Sequence, residues 1–189
     1  YIASSIAYGE ELADKMRGPA KAVVFGRLYK RSENSIRYQV GNEVLRKLVD
    51  TIDGMFPGIK GYNRDIMKEI RSKGYLESYF GRRRRFILLT PDNIHNVEYQ
   101  GVNFPIQSAG SDLMLLNMLN LWEKKDQLGI WPFWPVHDSI TWNMKDKNIL
   151  PLIKKELESY SLEVVNGIIP FEWDCKWGPD WAFIPSEED

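Results

Sequence analysis

Arg17, Lys21, Phe25 and Tyr29 recur every four residues through RGPAKAVVFGRLY, with Gly26 beside Phe25. On a helix this spacing winds two cations and then two aromatic rings across one face. Cations one turn apart can grip consecutive phosphates, and rings further along offer flat surfaces to a sugar or base. The stripe is therefore a candidate triphosphate clamp. An amphipathic helix with its two rings in a core and two solvated cations has the same spacing. Gly26 weakens a helix interior, which points to close approach by a partner or ligand.

Two further segments carry chemistry. Gly81-Arg82-Arg83-Arg84-Arg85 puts four guanidiniums on a short stretch, and guanidiniums pair well with the phosphates of nucleic acid. A solvated edge strand whose charges discourage aggregation reads the same way. His137-Asp138 falls between two apolar segments, where a carboxylate would be held firmly yet exposed, as a hard cation such as Mg²⁺ requires. Turns also favour aspartate without any metal. Two-metal phosphoryl chemistry needs at least two carboxylates, and no other strand of the sequence offers an obvious second.

These residues must be positioned by a chain of 189 residues, enough for one domain or two small lobes. Cys175 is the only cysteine, and His95 and His137 lie far apart, so a disulfide framework and a zinc cluster of ordinary spacing are excluded. An intracellular, cytoplasmic setting is expected. No stretch approaches an uninterrupted membrane span, and the start lacks the basic-then-apolar order of a signal peptide. The chain starts at Tyr1 rather than Met, from which further polypeptide upstream is expected. Residues 1–95 hold 18 Lys and Arg against 11 Asp and Glu, while residues 96–189 hold 7 against 15. One half attracts phosphate and the other could hold divalent cations. Two solvated faces of opposite sign would give the same counts.

The striped helix is predicted to run to about Lys30, with Pro19 in its first turn where the missing N–H costs nothing. Helices near 40–55 and 59–73 follow, the second stopping at Gly74. A strand pair, 75–80 and 84–89, turns around Gly81, and a loop at 90–96 leads to Asn103-Phe104-Pro105-Ile106-Gln107. A long helix is predicted from there to about Leu128, buried over most of its circumference. A hairpin with His137-Asp138-Ser139 at its tip, a helix near 150–165 and a last strand alternating Phe171, Trp173, Cys175 and Trp177 complete the pattern. The tryptophans, all after residue 121, are expected in the core. The fold class is α+β: a helical, basic part over 1–95 and a part over 96–189 built on antiparallel strands with packed helices.

Taken in order, these segments resemble the family A DNA polymerases. Arg17-x3-Lys21-x3-Phe25-Gly26-x2-Tyr29 resembles that family's fingers helix, motif B. GRRRR resembles its GRRR segment, NFPIQSAG its N-x-P-x-Q segment, and PVHDS its palm turn, motif C, usually VHDE. The weaker match continues to Gly178-Pro179-Asp180-Trp181, so the resemblance covers nearly the whole chain. Three positions depart from the pattern: Lys30 stands for a glycine, Tyr99 for an arginine and Ser139 for the glutamate of VHDE.

The resemblance implies that Arg17 contacts the outer phosphates of an incoming deoxynucleoside triphosphate and that Lys21 stabilises or protonates the departing pyrophosphate. It implies that Phe25 packs on the nucleotide sugar, that Tyr29 lies near the templating base, and that the helix swings inward on a correct nucleotide. Asn103 and Gln107 would touch the primer–template end, Arg82, Arg83 and Arg84 would meet nucleic acid, and Asp138 would bind catalytic Mg²⁺ beside His137, itself a catalytic and DNA-contacting candidate. The family's motif A aspartate and its thumb lie upstream of motif B. The second metal-binding aspartate is therefore expected from an upstream segment or separate chain, and these residues alone are expected not to polymerise. Ser139 also matches the HDS of phage-type RNA polymerases, and the missing aspartate and Lys30 also suit a non-catalytic DNA-binding or assembly module.

Overall fold

The computed structural model describes residues 2–29, 31–136 and 138–180, the side chains at 132 and 133 excepted. The α+β class expected from the sequence is the class observed, with small antiparallel sheets among helices. The chain divides into two compact units, Tyr1–Ser108 and Ala109–Asp189.

The first unit begins with α1 (Ile2–Tyr8), α2 (Glu10–Ala13) and α3 (Arg17–Leu28), followed by α4 (Glu33–Val40), α5 (Asn42–Met55) and α6 (Ile59–Lys73). One core joins Val23 of α3, Ile36 of α4, and Leu45, Leu48 and Ile52 of α5. The helix α4 is additional to the sequence expectation. Ser32 starts it, its hydroxyl accepting from the Ser35 N–H at 3.3 Å, and Ile36 anchors it with no exposure. The close approach that Gly26 permits is by this core side chain: a Cβ at Gly26 would lie 2.9 Å from Ile36 Cγ1. The glycine thus serves helix packing rather than a ligand.

Across the other side of α3, Arg27 donates from Nη2 to both Asp53 carboxylate oxygens at 2.7 Å, and Lys60 reaches the same carboxylate at 3.0 Å. The Arg27 hydrogen bonds, aided by Lys60, hold the Asp53 carboxyl below the usual aspartate range. Because the folded-state carboxyl titrates below its unfolded value, its stabilisation is present above the unfolded pKa and is lost as pH falls through the folded one. Asp53→Asn should lower stability by about 1–2 kcal/mol at neutral pH. In denaturant titrations the gap between variant and wild type should close below about pH 4; a gap unchanged down to pH 2 would contradict this account.

Past Gly74, whose positive φ of 72° ends α6 in a left-handed cap, β1 (Tyr75–Glu77) pairs antiparallel with β2 (Arg83–Arg85) in the register Tyr75↔Arg85. The ladder is shorter than predicted, and Ile87 and Leu88 after it are exposed. The next helix, α7 (Ile94–Glu123), starts well before the predicted position and runs through Pro105. Thr90 and Asn93 exchange reciprocal side-chain to backbone hydrogen bonds at 2.9 and 3.3 Å just ahead of it, and that start fixes the helix. Val97 and Val102 then seal a second core with Ile66, Met67, Ile70, Leu76 and Phe86.

In the second unit, the remainder of α7 is followed by α8 (Lys125–Leu128), β3 (Ile130–Val136), β4 (Ser139–Met144), a 3₁₀ turn (Lys147–Ile149) and α9 (Leu150–Val164). Its core joins Leu121, Ile130, Ile153 and Leu157. The expectation that this stretch of α7 is buried nearly all round is corrected. Leu113, Asn117 and Leu121 are buried at one-turn spacing, whereas Leu119 and Trp122 are exposed. Tryptophans 131, 134 and 177 are exposed too, against the expected core role. Residues 170–178 form no strand; Trp173 and Cys175 still reach the core, and the Trp173 indole N–H donates to Ser161 Oγ at 3.0 Å.

Candidate nucleotide and nucleic-acid site

The first turn of α3 can hold Pro19 because its N–H would have no intrahelical partner. From there the helix presents Arg17, Lys21 and Phe25 to solvent while Ala20, Val23 and Gly26 face the core. The predicted stripe is thus a true outer face, with Phe25 43% exposed rather than in a core. The Phe25 and Tyr29 rings stack at 5.8 Å between centroids and 13° between planes. The Lys21 ammonium lies 5.8 Å from the Phe25 ring centroid. A cation leading into a flat two-ring surface can take a phosphate at one end and a sugar or base along the other.

An open cleft of about 350 Å³ lies along this face, lined by Lys21, Phe25, Gly26, Tyr29, Arg31 and Tyr99 among others. Arg17 stands at the start of the helix outside that lining. Arg31 and Tyr99 were not foreseen, nor was Gln39, whose Oε1 accepts from Arg31 Nη1 at 2.9 Å within the same lining. Arg31 also donates from Nε to Ser35 Oγ at 3.0 Å. The guanidinium is held by two neutral acceptors and keeps its charge for a ligand. The sequence signal for it was its place two residues after Tyr29.

Tyr29 caps α3, and its hydroxyl accepts from Gln107 Nε2 at 3.2 Å. The structure thereby joins two predicted site residues from distant parts of the sequence. Asn103, one turn before Gln107, donates to the Tyr99 carbonyl at 3.1 Å. Tyr62, also unforeseen, donates to the Val102 carbonyl at 3.2 Å, and burial, then the neighbouring Tyr29, push its phenol pKa up.

The arginine run is partly committed within the unit. Arg83 pairs with Glu77 at 2.6 Å and lies over the Tyr75 ring, while Arg84 donates to Gln100 Oε1 at 2.6 Å. The Arg82 backbone N–H donates to Ser78 Oγ at 3.2 Å.

In the second unit, β3 and β4 form the expected hairpin, with Val136 opposite Ser139 and Asp138 exposed in the turn. Ser139 Oγ donates to the Val136 carbonyl at 2.8 Å and closes that turn. His137 lies outside the described residues, as does Lys30. Among the described residues no group of three or more His, Cys, Asp and Glu gathers as a metal site. Asp138 contributes one carboxylate, whereas two-metal phosphoryl chemistry needs at least two at one place. No helix among the described residues is long and apolar enough to cross a membrane.

Comparison with known proteins gives the family. The family model described as DNA polymerase family A matches residues 2–183. DNA polymerase I of Chloroflexus aurantiacus is 28% identical over 171 residues, covering 87% of this chain and 18% of that protein. The enzyme of Streptococcus pneumoniae serotype 4 is 30% identical over 177 residues, covering 87% and 20%. The chain thus spans about a fifth of the length of the curated relatives it matches. Among solved structures, the POL domain of Pol1 from M. smegmatis, in complex with DNA primer-template and dNTP, superposes with a TM-score of 0.71 at 20% identity, covering 90% of this chain and 32% of that one. With a family match that takes in nearly every residue, from the start of α1 past the β3–β4 hairpin, the chain belongs to DNA polymerase family A.

Proposed function

We propose that this chain is the fingers and part of the palm of a template-directed DNA polymerase, with 1–95 as fingers and 96–189 as palm. The observation that carries the reading is the exposed α3 face, on which Lys21 and the stacked Phe25–Tyr29 pair line one cleft. Arg17 and Lys21 would bind the triphosphate, Lys21 at the leaving pyrophosphate, Phe25 would pack on the sugar and Tyr29 would face the templating base. Asn103, Gln107 and the arginines of β2 and its turn would contact the primer–template.

Mg²⁺, when bound, would neutralise charge on the transferring phosphoryl group. Asp138 is the ligand proposed from the described residues, beside His137, and a second aspartate would come from polypeptide outside these 189 residues, contiguous or separate. Binding of a fluorescent dNTP tests the reading directly. The chain should bind it, Lys21→Ala and Phe25→Ala should weaken binding, and primer extension should require the completing segment. Extension by the purified chain alone, or dNTP binding indifferent to both substitutions, would overturn it. The hydrogen bond by which Ser139 closes its turn gives that serine a structural use, so it does not call for the RNA polymerase reading; rNTP against dNTP incorporation separates the two.

A further inference from the structure

The helix α6 buries Asn63, Ile66, Met67 and Ile70 on one side. On another, Lys60, Arg64, Lys68 and Arg71 follow one another at steps of four, four and three residues and are exposed. At 3.6 residues per turn these positions fall within an arc of about 80° and climb about 16 Å along the axis. The arc holds cations only. Lys60 is engaged by Asp53, and Arg64 lies 4.0 Å from Asp65, at the limit of an ion pair. Lys68 and Arg71 make no ion pair among the described residues. The helix's other basic residue near its end, Lys73, is neutralised by Glu69 at 2.8 Å. None of the arc residues lines the α3 cleft.

Like charges one turn apart repel, so a row in which Lys68 and Arg71 have no carboxylate partner destabilises the helix slightly. A polyanion lying along the row reverses the sign of that term. Successive cations on α6 are separated by about 4.5–6 Å of rise, and each strand of a DNA duplex carries a charge about every 3.4 Å along its axis, a spacing that a flexible single strand can extend. Each cation can therefore meet its own phosphate. A peptide partner would want apolar anchors as well as charge, and the arc has none.

We infer that the exposed face of α6 carrying Arg64, Lys68 and Arg71 is a docking surface for the phosphodiester backbone of a nucleic-acid strand, apart from the α3 cleft. It rests on the polymerase reading only for the choice of polymer. The contact is independent of base sequence and strongly weakened by salt.

Fluorescence anisotropy of a labelled single-stranded 20-mer tests it with the whole chain. Replacing Arg64, Lys68 and Arg71 together by alanine should raise Kd on the order of tenfold at low salt. The slope of log Kd against log salt should fall by about 2, since each single-strand phosphate contact contributes about 0.7. A control loss of two surface cations elsewhere, Lys154→Ala with Lys155→Ala on α9, should leave both unchanged. Equal Kd and slope in the triple variant would overturn the inference, as would an acidic peptide of the same length that binds more tightly and displaces the oligonucleotide. The two readings separate on the fluorescent dNTP: Lys21→Ala should lose it and the triple variant should keep it. Should no form bind the dNTP while the triple variant still loses the oligonucleotide, the polymerase assignment fails and the α6 surface stands.

Discussion

Lys21→Ala, in a polymerase assembled from this chain and the completing segment proposed for it, is expected to lower kcat for nucleotide addition by about 10²-fold or more, with a smaller change in KM. Its ammonium is exposed on α3 and lies one turn before Phe25, whose ring would carry the sugar. In that pose the cation meets charge that builds on the leaving pyrophosphate, so most of its interaction appears only as the bond breaks. A loss of about 2.7 kcal/mol of transition-state stabilisation is a hundredfold in rate. Arg17→Ala should act differently, raising KM more than it lowers kcat, because a grip on the outer phosphates is present in the bound substrate as well. Single-turnover incorporation separates the two. Lys21→Arg should recover part of the rate, and an unchanged kcat in Lys21→Ala would remove the residue from this role.

The second large effect is on stability. Ile36 is fully buried and occupies the space that Gly26 leaves open on α3. Ile36→Ala should cost about 2–5 kcal/mol by urea denaturation, the transfer term plus the cavity left behind. Gly26→Ala fails for the opposite reason. Its new methyl would press on Ile36, costing about 1–3 kcal/mol against a gain of about 0.5–1 kcal/mol from helix propensity. Pairing Gly26→Ala with Ile36→Val removes the nearest methyl and should restore part of the loss, so the two changes couple rather than add. A Gly26→Ala variant stabilised by the full propensity gain would sink the packing account.

Much of this was legible in the sequence where one local signal decides. The helices α5, α6 and α9 and the β3–β4 hairpin follow from apolar spacing and from Gly74 and Gly129 as stops. The segment Glu33–Val40 was missed because one buried anchor, Ile36, is too few for periodicity to detect; only Ser32 announced it. The long helix was expected only from the Asn103–Gln107 segment onward, yet the reciprocal bonds of Thr90 and Asn93 and the burial of Val97 and Val102 start it earlier and carry it through Pro105. At the candidate site the residue types along α3 were readable from spacing. The approach of Gln107 to Tyr29 and the presence of Tyr99 and Gln39 in the same cleft depend on tertiary proximity, which no local pattern encodes.

The Tyr29–Gln107 hydrogen bond has a thermodynamic consequence for catalysis. Both partners are candidates for touching the primer–template, and without it each satisfies the other. Engaging DNA through either group is then an exchange of one hydrogen bond for another, whose net free energy is small. Such an exchange adds little affinity, and because the bond is exposed, water can take the place of Gln107 on the Tyr29 hydroxyl when a duplex end draws the amide away. This corner would therefore release and remake its contact as DNA arrives, with little change in how tightly the DNA is held.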